Sequence, residues 1–368
     1  MRVGIDGRAL QGRRAGVARY VYELCRALDT ALPEAVFFVY SQSAVTLPTA
    51  SERWISRVDP LGHLVKNVAW LKFRCGALCR HDDLEVFWGT GTLLPRLPKR
   101  VRTVSTVHDL NHKLVPDTMP IVTLCAHRLF FSADVRRADN VVAVSHGTSD
   151  RLRHLIGRPA DVVVPPSVDE CFAPASTQAV RECRLRYGIA QPFLLAVATL
   201  EPRKNIAMLI DVFISMRATG DLPRGIELVL VGGTGWKDSA VARRIQAGQA
   251  HGVRTLGFVP DEDLPALYTA SEAFVLPSRY EGFGIPVLEA RACGTRVLTS
   301  DIPELREAGG ADATYCEPTP EGLRNGLRTV LSSPRPQTVR VRVGWQDAAE
   351  QFASVLRDGS SIRSRLVL

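Results

Sequence analysis

Pro277-Ser278-Arg279-Tyr280-Glu281-Gly282-Phe283-Gly284-Ile285-Pro286-Val287-Leu288-Glu289-Ala290 is the stretch on which the reading of this chain turns. It follows the apolar run Ala273 to Leu276 and breaks at two glycines before a helical pattern, the strand, tight loop and helix of a parallel α/β sheet. If the helix begins near Ile285, the N–H groups of Phe283, Gly284 and Ile285 have no acceptor within it and suit a phosphate or a sugar. Glu289, about one turn further in, is then placed to accept from two ribose hydroxyls. A carboxylate early in a helix also offsets the helix dipole with no ligand present. Glu281 and Glu289, eight apart around a glycine loop, favour the ligand.

The same alternation fills the rest of the chain. Val3-Gly4-Ile5, Val36 to Tyr40, Leu84 to Phe87, Thr103 to Val107, Asn140 to Val144 and Asp161 to Val164 read as buried strands. Gly16 to Leu28 reads as a helix with Val17, Tyr20, Val21, Leu24 and Leu28 on one face. After Pro165-Pro166 the pattern pauses, then resumes at Phe193 to Ala198, Ile226 to Val231, Ala273 to Leu276 and Arg296 to Thr299. Two doubly wound α/β domains follow: 1–168, a linker 169–190, and 191–340. A last helix within 341–357 follows a Pro-rich break and is free to pack on either domain.

Composition sets the outer limits. With 368 residues, 46% hydrophobic and 23% charged, the chain is a globular protein rather than a disordered or fibrous one. Its net charge is +8, and the first 180 residues hold 23 basic and 17 acidic residues against 23 and 21 in the rest. That excess invites an acidic partner of some kind: nucleic acid, anionic lipid or a phosphorylated small molecule. Aromatic residues at 7%, with no interleaved aromatic and basic run, argue against nucleic acid. Cys25, Cys75, Cys79, Cys125, Cys171, Cys183, Cys293 and Cys316 show no Cys-x-x-Cys pair, so structural thiols in a reducing cytoplasm are expected. No apolar stretch is long enough to span a bilayer.

Several further residues sit where α/β proteins bind ligands, at the carboxyl ends of strands. Asp6-Gly7 leads to Gly12 and Gly16, the latter opening the first helix, yet the letters do not fit the dinucleotide fingerprint. His108-Asp109 ends a strand, where Asp109 can also serve merely as a helix cap. Arg203 and Lys204, within Glu201-Pro202-Arg203-Lys204-Asn205, would meet a diphosphate, Arg203 bidentately and Lys204 as a point charge. Val231-Gly232-Gly233-Thr234-Gly235 is a second Gly-rich turn with no assigned role. Asp261-Glu262-Asp263 spells a metal-binding Asp-x-Asp but follows Pro260 at a helix start, where capping explains it. Val65, Val68, Leu71 and Leu78 with Lys66, Lys72, Arg74 and Arg80 read as a helix with a basic side.

Taken in order, Gly16-Val17-Ala18-Arg19-Tyr20, His108-Asp109, Val144-Ser145, Glu201 to Asn205, Gly257-Phe258-Val259-Pro260 and the Glu-x7-Glu block resemble the retaining nucleotide-sugar glycosyltransferases of family 4, and bacterial polysaccharide mannosyltransferases among them. The resemblance implies the GT-B fold of two facing Rossmann-like domains, with the acceptor on the first domain and the donor on the second. It implies that Glu289 holds the ribose, that Arg203 and Lys204 neutralise the diphosphate, and that Glu281 with Phe283, Gly284 and Ile285 holds the donor sugar. Gly16 and Val17 would approach the phosphates, His108 the donor sugar, and the Val259 backbone with the Asp261 side chain the base. No catalytic metal and no cofactor is implied.

The expected reaction moves a hexose, mannose or a deoxyhexose from a GDP-sugar, to a growing lipid-linked glycan. The enzyme would sit in the cytoplasm, peripherally on the inner membrane face where the basic stretch could touch lipid. A UDP-sugar donor and a non-catalytic sugar-nucleotide-binding protein stand as alternatives. Two departures stand out: Ala198-Thr199-Leu200 lacks the extra basic residue of many relatives, and Pro165-Pro166-Ser167-Val168-Asp169 replaces their Pro-Gly-Val-Asp.

Overall fold

The computed structural model describes residues 1–12, 16–65, 67–233, 235, 239–336, 341 and 343–358. Arg13 to Ala15 of the first glycine loop, Lys66, Thr234 and the tail from Gly359 lie outside the described residues. The chain divides into two compact units: one of Met1–His112, Ile121–Pro166 and the chain from Gly344 on, the other of Lys113–Pro120 and Ser167–Val343.

Among the described residues the first unit holds β1 (Arg2–Asp6), β2 (Val36–Ser41), β3 (Trp54–Val58), β4 (Val86–Gly89), β5 (Arg102–Val107), β6 (Asn140–Ala143) and β7 (Val162–Val163). They pair in parallel in the order β3-β2-β1-β4-β5-β6-β7. The second unit holds β8 (Phe193–Val197), β9 (Glu227–Val231), β10 (Val253–Gly257), β11 (Ala273–Leu276), β12 (Val297–Ser300) and β13 (Thr314–Cys316), ordered β10-β9-β8-β11-β12-β13. Both are doubly wound α/β sheets, with the strand order reversing between β1 and β4 and between β8 and β11. The carboxyl ends of those pairs are the natural ligand crevices of each sheet.

Central strands bury both faces, which is why they read as unbroken apolar runs. Ile5 and Val3 in β1, and Leu194 and Leu195 in β8, are fully buried. Three strands, β3, β10 and β13, escape the sequence pattern. They form three of the four sheet edges, and β3 (Trp-Ile-Ser-Arg-Val) and β10 (Val-Arg-Thr-Leu-Gly) mix polar and apolar residues because each is partly exposed.

The helix Val17–Ala31 is capped by Gly16 at φ +54° and buries Tyr20, Val21, Leu24, Cys25 and Leu28. Val17, expected on that apolar face, is 38% exposed at the first turn. The helix Gln346–Asp358 belongs to the first unit. Phe352 packs 4.6 Å from Trp88, and the Arg102 guanidinium donates to the Val355 carbonyl at 2.7 Å. Each buried aromatic or aliphatic side chain of this kind contributes about 1.5–3 kcal/mol.

The stretch expected to form a basic helix is helical from Asn67 to His81 but lacks the expected basic side. Its middle, Leu71–Cys75, is a π-helical turn, whose wider winding changes which side chains face inward. Lys72 is buried, pairs with Asp134 and donates to the Leu94 carbonyl at 2.9 Å. Arg74 reaches the buried Asp59 at 2.6 Å. Two of its cations therefore neutralise interior carboxylates rather than making a basic side.

Candidate active site

In the second unit, residues following β8 and β11 meet because those strands are neighbours. The Arg279 N–H donates to the Arg203 carbonyl at 2.9 Å, tying the two loops together. Glu281 lies at the centre, 5% exposed. Its Oε1 accepts from Lys204 Nζ at 2.7 Å and Ser278 Oγ at 2.6 Å, and its Oε2 accepts from Arg203 Nη1 at 2.6 Å. Arg203 Nη1 also donates to the Tyr280 carbonyl at 2.9 Å, and Nη2 to Glu201 Oε1 at 2.5 Å. Burial opposes ionisation of Glu281, but Arg203 and Lys204 outweigh it and hold the carboxyl down at about 2. Burial pushes the Glu201 carboxyl up, against the pull of Arg203 and Lys204.

The loop then enters the helix Ile285–Ala292 through Gly284 at φ +105°. A Cβ on Gly284 would lie 2.5 Å from Leu305 Cδ2, so this position demands glycine on two counts. Pro286 brings no N–H, leaving Phe283, Gly284 and Ile285 to supply the donors at this end. Glu289 is 4% exposed and accepts from Tyr268 Oη at 2.9 Å, which fixes one carboxylate oxygen. Val259 is buried beyond the end of β10, beside an exposed Phe258.

Asp263 precedes the helix Leu264–Ala270 but makes no capping hydrogen bond. It accepts from Arg186 Nη1 and Tyr187 Oη, both at 2.6 Å. Asp263 is thus held in an ion pair rather than in the expected cap.

In the first unit, His108 follows β5 and its Nε2 lies 2.7 Å from the Thr90 carbonyl. A carbonyl only accepts, so Nε2 carries the proton and Nδ1 is the basic nitrogen of the neutral ring. Burial lowers the His108 pKa, opposed by that hydrogen bond and by Asp109. Tyr20 packs edge-on against the imidazole at 5.2 Å and is backed by Trp345 at 5.6 Å. The Tyr20 hydroxyl donates to the Val164 carbonyl at 3.0 Å. The Thr90 hydroxyl reaches the Asp6 carbonyl at 2.8 Å, and Asp6 clamps Arg8 through both carboxylate oxygens. The Asp109 carboxylate accepts the Asn111 N–H at 3.0 Å, just before the short helix Asn111–Leu114. Gly16 meets open space around its missing Cβ.

The structure therefore gathers Arg203, Lys204 and Glu281 into one hydrogen-bonded cluster, with Phe283, Gly284, Ile285 and Glu289 on the loop and helix that continue from it. Gly16, Val17 and His108 belong to the other unit. Sequence reasoning missed Glu201, Ser278, Tyr268 and Thr90. Glu201 lies two residues before Arg203, a signal that spacing alone could have raised. Tyr268 and Thr90 are distant in sequence and are brought in only by the fold.

Comparison with known proteins places the chain in a family. Residues 14–170 match the family Glycosyltransferase Family 4, and residues 187–358 match Glycosyl transferases group 1. The chain is 34% identical to the O-antigen chain mannosyltransferase B of Escherichia coli over 82% of this chain and 83% of that one. It is 32% identical to a GDP-mannose-dependent alpha-(1-6)-phosphatidylinositol monomannoside mannosyltransferase of Mycolicibacterium smegmatis over 64% of this chain and 62% of that protein. In fold it is similar to sucrose-phosphate synthase of Thermosynechococcus elongatus, with a TM-score of 0.74 at 19% identity over 97% and 98% of the two chains. With two parallel sheets of this order and a relative matched over most of both lengths, the chain belongs to the group 1, family 4 glycosyltransferases of GT-B fold and is a hexosyltransferase.

Proposed function

We propose that this enzyme transfers mannose, or a related deoxyhexose, from a GDP-sugar to a growing lipid-linked bacterial polysaccharide, with retention at the anomeric carbon. The observation that carries the proposal is the cluster of Arg203 and Lys204 around the buried Glu281 at the carboxyl ends of β8 and β11. Mannose is supported by the names of two relatives, and GDP by one of them. Arg203 and Lys204 are assigned to the donor diphosphate and Glu289 to the ribose. Glu281 and the N–H groups of Phe283, Gly284 and Ile285 are assigned to the donor sugar. Oε2 of Glu281 accepts one bond from Arg203, leaving a lone pair able to take a sugar hydroxyl. Gly16 and Val17 are assigned to the phosphates, Val259 to the base, and His108 to the sugar, its basic Nδ1 accepting from a hydroxyl.

In the reaction, the bond from the anomeric carbon to the diphosphate breaks and one to the acceptor oxygen forms on the same face. The acceptor proton passes to the departing phosphate. Because negative charge develops on the leaving group, fixed cations there stabilise the transition state more than the ground state.

Peripheral association with a membrane is part of the proposal, but on a revised basis. Lys72 and Arg74 are engaged internally, whereas Leu64 and Phe73 are 67% and 69% exposed in the same region. No helix among the described residues is long and apolar enough to cross a membrane. Leu64→Ser with Phe73→Ser is expected to reduce sedimentation with anionic vesicles while leaving the thermal midpoint unchanged. Undiminished sedimentation would remove this surface from the proposal.

The donor assignment is tested by a thermal-shift panel. GDP and GDP-mannose at a hundredfold over Kd stabilise by about 2.7 kcal/mol, and UDP at the same concentration by less. A larger shift with UDP than with GDP would overturn the choice of base.

A further inference from the structure

Glu201 has no part in the roles assigned above, yet its side chain is only 3% exposed and in direct contact with Arg203. The guanidinium is held on both terminal nitrogens, Nη1 by Glu281 and the Tyr280 carbonyl and Nη2 by Glu201, so its plane is fixed before any ligand arrives. The cluster holds two cations, Arg203 and Lys204, and two carboxylates, Glu201 and Glu281. Any diphosphate that binds these cations competes with carboxylates already paired to them.

The unexplained Gly-rich turn supports the same residue. Leu200 N–H donates to the Gly233 carbonyl at 3.0 Å, and Gly235 N–H to the Leu200 carbonyl at 3.2 Å. A Cβ on Gly235 would stand 2.6 Å from that carbonyl oxygen and 3.1 Å from Glu201 Cβ, and one on Gly232 2.0 Å from the Ala198 carbonyl oxygen. These glycines let the loop press against the backbone that carries Glu201. Lys204 N–H, bonded to the Glu201 carbonyl at 3.1 Å, closes the turn from the other side.

We propose that Glu201 is a positioning residue that orients Arg203 and, as a rival anion, limits how tightly nucleoside diphosphate is held, and so how fast product leaves. The inference rests on Arg203 being a diphosphate contact. It yields an expectation opposite to that for a purely structural carboxylate: removing the charge while keeping the shape tightens binding.

The test measures binding of GDP to the full-length chain by calorimetry, together with donor KM and kcat. In Glu201→Gln, GDP binds about tenfold more tightly, and KM and kcat both fall because release slows. In Glu201→Ala, which loses the grip on Arg203 as well, kcat falls without that gain in affinity. A Glu201→Gln protein that keeps its thermal midpoint but binds GDP equally or more weakly overturns the proposal. Should that variant fail to fold, Glu201→Asp keeps the charge and draws it back by one methylene. It is expected to lower kcat with no tightening, and wild-type kcat and KM there would overturn the proposal too. Lys204→Ala run in parallel separates the two claims, since unchanged GDP binding in that variant refutes the diphosphate assignment itself.

Discussion

Replacing Glu281 by Gln removes the charge that two partly buried cations share, and the structure sets the size of the effect. The carboxyl drops from an ordinary 4.5 to about 2, and each tenfold change in an ionisation constant corresponds to about 1.36 kcal/mol, so the ionised form contributes on the order of 3 kcal/mol. Because Glu281 is 5% exposed, solvent screening takes little from that figure. A depressed carboxyl contributes above its unfolded pKa and loses that contribution as pH falls toward the folded value. Wild-type stability from this residue is therefore complete above pH 4.5 and is lost between 4.5 and about 2. Glu281→Gln, which leaves Arg203 and Lys204 facing each other without a shared anion, is expected to destabilise the second unit by about 3–5 kcal/mol at pH 7. The difference from wild type narrows as pH falls below 4.5. Urea denaturation followed by circular dichroism at pH 7 and pH 4 measures both. Adding Lys204→Met to Glu281→Gln should cost less than the sum of the single changes, since the ammonium is no longer left unpaired. A loss below about 1 kcal/mol at pH 7, or strict additivity, would refute the electrostatic account of this cluster.

Gly284→Ala meets both a left-handed backbone and Leu305, so it should cost about 1–3 kcal/mol and raise donor KM; an unchanged midpoint would show that the loop is not constrained as described. Asp134→Ala strands the buried Lys72 ammonium and should destabilise the first unit by about 3–5 kcal/mol, with Lys72→Met added to it recovering part of the loss in urea titrations. The His108 pKa is lowered, so the unfolded chain takes up the proton first as pH drops below 6.5, and its contribution to stability is present above 6.5 and declines below it. Nuclear magnetic resonance of the ring should show neutral His108 with its proton on Nε2 at pH 7, and a proton on Nδ1 instead would contradict the Thr90 contact.

What the sequence reveals of this fold follows from burial. Central strands such as β1 and β8 are apolar on both faces and stand out, whereas the edge strands β3, β10 and β13 carry the mixed pattern of partly exposed positions. In the site, glycines and charges at strand ends are readable because such positions have few other uses. Their partners are not, because pairing depends on which strands lie side by side. Nothing local in the sequence says that Ser278 bonds Glu281 or that Tyr268 bonds Glu289. The basic stretch around Lys72 shows the opposite failure: charge counted along the chain resembles a surface until Asp134 and Asp59 are found beneath it.

The central claim is that Arg203 and Lys204, arranged around Glu281, hold the donor diphosphate. Calorimetric titration of GDP into wild-type and Arg203→Ala proteins, both held well below the lower unfolding midpoint expected of a variant that strands Glu201 and Glu281, tests it most directly. Loss of a partly buried charge-assisted contact of about 2 kcal/mol predicts a Kd roughly thirtyfold higher in the variant, whereas equal affinity in the two proteins would contradict the account.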